Sequence, residues 1–425
     1  MLIEFSVTNF KSINETQTLS LVASSDSEMR EQNTFASPEQ HVPNLLRSAV
    51  VYGPNASGKS NIMEALHFMD RFVRKSAKEG QEGDAINAKP FLFSASTKTE
   101  PSEFEVLFLH DEVRYQYGFS VNQTRVVHEW LIAYPEGRPQ RWFERSYSEL
   151  KNKKGEEIWY FGSKFKGRKS VLQEATRSNA LFLSTAVQLN NESLKPVYNW
   201  FHHVLRVVGV GNISLGYSVK RCESEIDKKR VLDFMNAADL SIVNIEVESK
   251  PFDSSELPPD MPNSLKEVLR KDMDGKEISE IKFFHKMSET GELVALNLDE
   301  ESVGTKKFFS LSGPWLDILD NGRVLFVDEL NNSMHPLMVR FLVSLINNPE
   351  VNKKNAQLIF STHDTSTLDK DIFRRDQIWF TEKNASNATN LYPLTDFSPR
   401  KGEALQKGYL QGRYGALPFI GELRI

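Results

Sequence analysis

The octapeptide Gly53-Pro54-Asn55-Ala56-Ser57-Gly58-Lys59-Ser60 sets two glycines, a lysine and a hydroxyl at a spacing that wraps backbone amides around phosphate oxygens. In that pattern Lys59 reaches the β- and γ-phosphates of ATP, and the Ser60 hydroxyl joins the shell of a magnesium ion. Gly53 through Asn61 are therefore the expected nucleotide-binding residues. A second run, Val324-Leu325-Phe326-Val327-Asp328-Glu329, carries two carboxylates on four apolar residues. Open α/β sheets place ligands at such strand ends. Asp328 is the expected magnesium residue beside Ser60, and Glu329 the expected general base for an attacking water. Ser361-Thr362-His363-Asp364 follows a third apolar run. Taken alone, His363 reads as a capping or surface residue.

These side chains need elements to hold them. Ala49-Val50-Val51-Tyr52 predicts a strand buried on both faces, ending at Gly53. Ile62, Leu66, Met69 and Val73 recur at helical spacing, so a helix is expected to about Arg74. Buried strands are expected at 324–327 and 357–360, a helix from Pro336 to Asn348, and a hairpin from 377–381 and 391–394. The chain opens with a strand in which Ile3, Phe5 and Val7 alternate with polar residues. From Phe104 to Ile132 three period-two segments predict an antiparallel meander. Helical patterns follow to about Asp239, then a Pro-rich loop, then strands near 278–287 and 293–298. Neither an internal repeat nor a heptad pattern is present.

Composition narrows the classes. With 40% hydrophobic and 26% charged residues, the 425-residue chain is an ordinary globular one, not a disordered one. Its net charge of −5 does not support nucleic acid as a main partner. The basic run Lys164-Phe165-Lys166-Gly167-Arg168-Lys169 reads first as a solvated loop. A single cysteine, Cys222, excludes an internal disulfide framework and fits a reducing, cytoplasmic compartment. No stretch reaches the roughly 20 apolar residues of a membrane helix. His202 and His203 are neighbours whose side chains should diverge on a helix. Asp272 and Asp274 sit in a polar loop and read as solvated acids, and the glycosylation sequons at Asn384 and Asn387 read as chance.

The order of these motifs resembles the ABC ATPase superfamily in its soluble SMC- and Rad50-like branch. Glu301-Ser302-Val303-Gly304-Thr305 stands where that superfamily carries its serine-and-glycine signature, with Val303 and Thr305 departing from the common form. The resemblance implies that Ser302 and Gly304 press on ATP held by a second copy. It also implies that His363 is the switch histidine contacting the γ-phosphate, and that Leu330 to Pro336 contacts the opposite subunit. The opening Phe5-Ser6-Val7-Thr8-Asn9-Phe10-Lys11-Ser12, the run from Asp328 to Pro336 and the ending Gly412-Arg413-Tyr414-Gly415-Ala416-Leu417-Pro418-Phe419 resemble bacterial anti-phage ATP-binding proteins. These are the Rlo-type and abortive-infection ATPases, related to the overcoming-lysogenization-defect and Septu ATPases. The glutamine expected after the first helix has only Gln116 and Gln123 as candidates, both on the meander. The short tail after His363 leaves no room for a Toprim nuclease domain.

The expected fold is thus α/β: an ABC-type ATPase head with a mixed sheet and an antiparallel β lobe. Residues 1–74 and 299–425 would form the head, and 75–298 the meander and an inserted α+β or helical lobe. The expected function is an ATP-binding and hydrolysing switch that dimerises or oligomerises around ATP and regulates a separately encoded effector, such as a nuclease, in anti-phage defence. The alternative is an SMC- or Rad50-like DNA-repair ATPase.

Overall fold

Ser48-Ala49-Val50-Val51-Tyr52 forms strand β5 (Ser48–Tyr52) and is buried at every position in the computed structural model of the chain. The structure describes residues 1–39, 41–148, 155–209, 214–238, 240–253, 257, 261–273 and 277–418. β5 lies inside a sheet of order β11 (Leu205–Val208), β15 (Val324–Val327), β16 (Gln357–Ser361), β5, β17 (Ile378–Lys383), β18 (Thr389–Pro393). Neighbours are parallel except for the β17–β18 hairpin. Strands covered on both faces need apolar side chains throughout, which is why these runs do not alternate. Helix α2 (Lys59–Lys75) leaves β5 through the glycine loop and buries Ile62, Met63, Leu66, Met69 and Val73. Its last carbonyls are satisfied by Ser184 Oγ, which donates to Val73 O at 2.5 Å, and by Arg177, which donates to Ser76 O at 2.9 Å.

A second, antiparallel sheet has the order β10 (Glu156–Phe161), β9 (Gln140–Ser148), β8 (Val126–Tyr134), β7 (Val113–Val121), β6 (Ser102–His110), β1 (Leu2–Thr8), β2 (Gln17–Ser20). Phe104, Phe108, Tyr117 and Phe119 from this sheet share one core with Leu66 and Met69 of α2 and with Trp200. Each such side chain contributes on the order of 1.5–3 kcal/mol by leaving water. One-turn helix α1 (Arg30–Asn33) and the ribbon β3 (Thr34–Ala36) with β4 (Asn44–Leu46) occupy the segment between β2 and β5. Helices α3 (Lys169–Glu174), α4 (Phe182–Gln188) and α5 (Lys195–Asn199) follow the meander, and a single π-helical turn (Trp200–Val204) leads into β11. The fully buried Glu129 carboxylate accepts from Phe182 N, Leu183 N and the Tyr117 hydroxyl, which caps α4 and satisfies the buried charge.

The chain divides into two compact units. The first holds Met1–Gly211, Ile318–Asn332 and Val339–Ile425, and therefore both sheets above. It also contains α11 (Leu405–Leu410) and most of α10 (Pro336–Asn347). The second holds Asn212–Asp317 and Ser333–Met338. It carries α6 (Leu215–Cys222), α7 (Glu225–Asn236), α8 (Asn263–Met273), the three-stranded sheet β12 (Asn244–Pro251), β13 (Glu277–Lys286), β14 (Leu293–Asn297) and most of α9 (Val303–Asn321). Pro314 inside α9 has no N–H for the Ser310 carbonyl. Ser218 Oγ supplies the missing donor, at 3.2 Å from Ser310 O and 2.7 Å from Phe309 O.

This division differs from the expected insertion at 75–298. β6 pairs antiparallel with β1, from Leu2↔Phe108 to Thr8↔Glu103. The meander is thereby part of the first unit. The separate unit starts near 212 and runs on through Ser302 and Gly304 to 317. Among the described residues, no helix is long and apolar enough to cross a membrane.

Candidate functional site

The glycine loop turns from β5 into α2 with two close approaches that a side chain would block. A Cβ on Gly53 would lie 2.4 Å from Thr381 O, and one on Gly58 2.1 Å from Thr389 Oγ1. Gly58 also has a left-handed φ of 110°. The first amides of α2, those of Lys59 and Ser60, precede the Asn61 N to Gly58 O bond of 3.0 Å and face the positive helix end as donors. Lys59 is 6% exposed, and its Nζ donates to Gly53 O at 2.7 Å and Pro54 O at 3.1 Å. Burial lowers its pKa, while the nearby Glu329 and Asp328 carboxylates act in the opposite direction. One small region thus holds the lysine and both acids.

Hydroxyls from distant segments fix the loop. Ser57 Oγ bonds Thr381 Oγ1 at 2.6 Å, and Thr389 Oγ1 donates to Ser57 O at 2.8 Å. Ser12 Oγ sits 2.7 Å from Thr389 Oγ1 and accepts from Asn61 Nδ2 at 2.5 Å. The β17–β18 hairpin and the turn after β1 therefore clamp the loop from one side. Sequence reading misses Ser12, Thr381 and Thr389. The parallel pairing of β17 with β5 brings the two threonines within reach, and Ser12 arrives on the turn after β1.

The acids stand at the end of β15, beside the end of β16. Asp328 is 5% exposed, and its Oδ1 accepts from Ser361 Oγ at 2.5 Å. The same Ser361 oxygen accepts from Glu329 N at 2.8 Å, and Leu330 N donates to Ser361 O at 3.1 Å. One buried serine, unremarked in the sequence, thus orients the acidic pair. Glu329 has a left-handed φ of 50°. His363 is exposed, with Nε2 3.2 Å from Asn331 Nδ2, and Thr362 Oγ1 donates to Asn331 Oδ1 at 2.9 Å. The Asn331 side-chain amide thus bridges Thr362 and the His363 ring. The neighbouring Asp364, not His363, caps the turn that follows, accepting from Ser366 N at 2.9 Å.

Ser302 lies in the second unit at the start of α9. Its Oγ accepts from Thr305 N at 3.0 Å, an N-cap of a 19-residue helix, and Gly304 stands in the first turn. Gln116 pairs with Glu105 and Tyr134 within the meander, and Gln123 lies in the turn between β7 and β8. Neither stands at the strand ends that carry the acids. On the side of β15 away from β16 lies β11, where Val208 O accepts from Asp328 N at 3.1 Å; residues 210–213 after it lie outside the described residues. His202 and His203 do not diverge: the π-helical turn brings their rings to 4.6 Å. Asp272 is exposed at the end of α8, and Asp274 lies outside the described residues. In the basic run, Lys164, Lys166 and Arg168 are exposed while Phe165 is buried as its anchor.

A parallel sheet with a glycine loop after one strand, and two acids after a strand two places away, defines a mixed α/β P-loop ATPase-type head. Residues 48–369 match the AAA_21 family, described as "AAA domain, putative AbiEii toxin, Type IV TA system", and the chain belongs to that family. Among solved structures, it is similar to the SMC head domain from Thermotoga maritima at 13% identity and a TM-score of 0.39, covering 92% of this chain and 98% of that one. The RecF–ATP recombination mediator aligns at 14% identity and a TM-score of 0.35, covering 92% and 99%. The Pyrococcus furiosus Smc head bound to the C-terminal domain of ScpA aligns at 12% and 0.33, covering 92% and 96%. No curated protein matches the chain.

Proposed function

We propose that this protein is an ATP-binding and hydrolysing switch that closes around ATP with a second copy and reports its state to a separate effector in anti-phage defence. The observation that carries the reading is the gathering of Lys59, Asp328 and Glu329 at the ends of β5 and β15. The loop amides and Lys59 bind the triphosphate, and Glu329 takes the proton of the attacking water. His363, with its ring set by Asn331, orients toward the γ-phosphate. Ser302 and Gly304, at a capped helix N-terminus, suit an anion presented by the opposite copy.

The donor set fits Mg2+. Ser60 and Asp328 offer hard oxygens, and among the described residues no group of three or more His, Cys, Asp or Glu forms a protein-only cage. An ion held by two protein oxygens takes its remaining ligands from phosphate and water, and it would supply neutralisation of phosphate charge. The family's description as a putative AbiEii toxin of a Type IV TA system supports a role within a paired system. The unit from 212 to 317 is the proposed relay to the effector.

Light scattering tests the switch. Glu329→Gln with ATP should give twice the nucleotide-free mass, and wild type should return to the free mass as ATP is consumed. Equal masses with and without ATP for the variant would sink the closure. Lys59→Ala should lose nucleotide binding altogether.

A further inference from the structure

Sheet edges are templates for further strands, and proteins normally guard them with charge, proline or cover. β12, one edge of the three-stranded sheet, carries Glu246, Glu248, Lys250 and Pro251. β10, the outer edge of the large sheet, opens with Glu156-Glu157. β14 has none of these devices. Its residues Leu293-Val294-Ala295-Leu296-Asn297 include no charge and no proline. β14 pairs with β13 from Lys286↔Leu293 to Lys282↔Asn297, and among the described residues nothing pairs with its other side. Leu293 is 53% exposed and Val294 40%, and successive strand residues point to opposite faces. Both faces of this edge are therefore apolar and wet.

We propose that β14 is a homotypic pairing strand: it joins antiparallel to β14 of a second copy, with Ala295 on the two-fold axis, making one continuous sheet across the pair. The strand is its own complement. Pairing about Ala295 sets Val294 against Leu296 and Leu293 against Asn297. The flanking acids avoid one another, because Glu292 then opposes Leu298 and Asp299 opposes Gly291. A strand rich in charge would meet like charge in its own copy, and this one does not. The shared area is small beside the roughly 1,200–2,000 Å² of a stable interface, so the contact acts in copies held together elsewhere or at high concentration. It lies wholly in the second unit and does not require the ATP-dependent closure.

Directly opposed residues in an antiparallel pair have Cα atoms about 4.5–5.5 Å apart, within disulfide range. The native Cys222 is buried, so Ala295→Cys presents an exposed thiol against a quiet background. The full-length variant is oxidised at about 100 µM with and without ATP and run on non-reducing gels. A crosslinked dimer is expected, at least 10-fold faster than for Glu248→Cys on the guarded edge. Adding Val294→Lys to Ala295→Cys should slow it at least 10-fold, with unchanged circular dichroism. Absence of the dimer in both conditions while the thiol still reacts with maleimide overturns the proposal. So does equal trapping from Glu248→Cys, or no effect of Val294→Lys. Light scattering of Glu329→Gln with ATP reports the head closure separately. A doubled mass without the Ala295 disulfide overturns the strand pairing alone, and the disulfide without the doubled mass overturns the closure alone.

Discussion

Glu329 holds a left-handed backbone that costs a residue with a β-carbon about 1–2 kcal/mol. Ser361 holds this conformation in place by accepting from Glu329 N while donating to Asp328. Two residues with different tasks thus share one support. Glu329→Gln keeps shape and removes the carboxylate proposed as base; phosphate release should fall about 100-fold or more while ATP affinity holds within a few-fold. Ser361→Ala should lower turnover about 10-fold and raise the magnesium concentration for half-maximal activity, because it frees both acids at once. Ser361→Thr keeps the hydroxyl and should restore most of that loss. A phosphate-release assay titrated with Mg2+ checks both, and an unchanged magnesium midpoint in Ser361→Ala would remove the orienting role.

At the scale of elements, the β17–β18 hairpin is the outer wall of the glycine loop. Thr389→Val retains volume and deletes the hydroxyl shared with Ser12 and Ser57. Nucleotide affinity, followed with a fluorescent ATP analogue, should weaken about 10-fold with the melting temperature nearly unchanged. Thr389→Ser should recover it. Helix α2 carries a different burden. Burial lifts the Asp70 carboxyl to about 6, with Arg74 opposing the shift, and its Oδ1 has no hydrogen-bond partner among the described residues. A folded-state value above the unfolded one of about 3.9 means the favourable contribution is complete below about pH 4 and is lost as pH rises through 6. Asp70→Asn escapes that loss. Between pH 4 and pH 8 the stability difference should move in the variant's favour by up to about 3 kcal/mol. Urea titrations at the two pH values measure it, and a constant difference would contradict it.

For the molecule as a whole, β5 is flanked by β16 and β17, which lie more than 300 positions away in sequence. A fragment of residues 1–211 keeps the glycine motif but loses both neighbours of its strand. It should show no ATP binding and no protected amides at 48–52 in hydrogen exchange. The same separation explains what the sequence discloses. The loop from Gly53 to Ser60 and the acids at 328–329 are contiguous, so motif and flanking strand are visible together. Ser361, Thr381, Thr389 and Ser12 are single hydroxyls on strands and one turn, and they resemble any surface serine or threonine until topology assembles them. β11 is hidden for a related reason: Leu205-Arg206-Val207-Val208 continues the apolar pattern of the preceding helix, and the π-helical turn between them breaks the period without a proline or glycine.

The hydroxyl clamp also has a bearing on how the chain is made. Synthesis runs from the N-terminus, and domains fold as their parts emerge. The glycine motif leaves the ribosome early, yet Thr381 and Thr389 follow more than 300 residues later. Until then Gly53 and Gly58 lack the hairpin against which they are packed, and β5 lacks both strands. A nascent or truncated chain therefore carries the motif without a working site. On the proposed function, nucleotide occupancy would certify that translation has passed residue 389, and incomplete copies would stay empty.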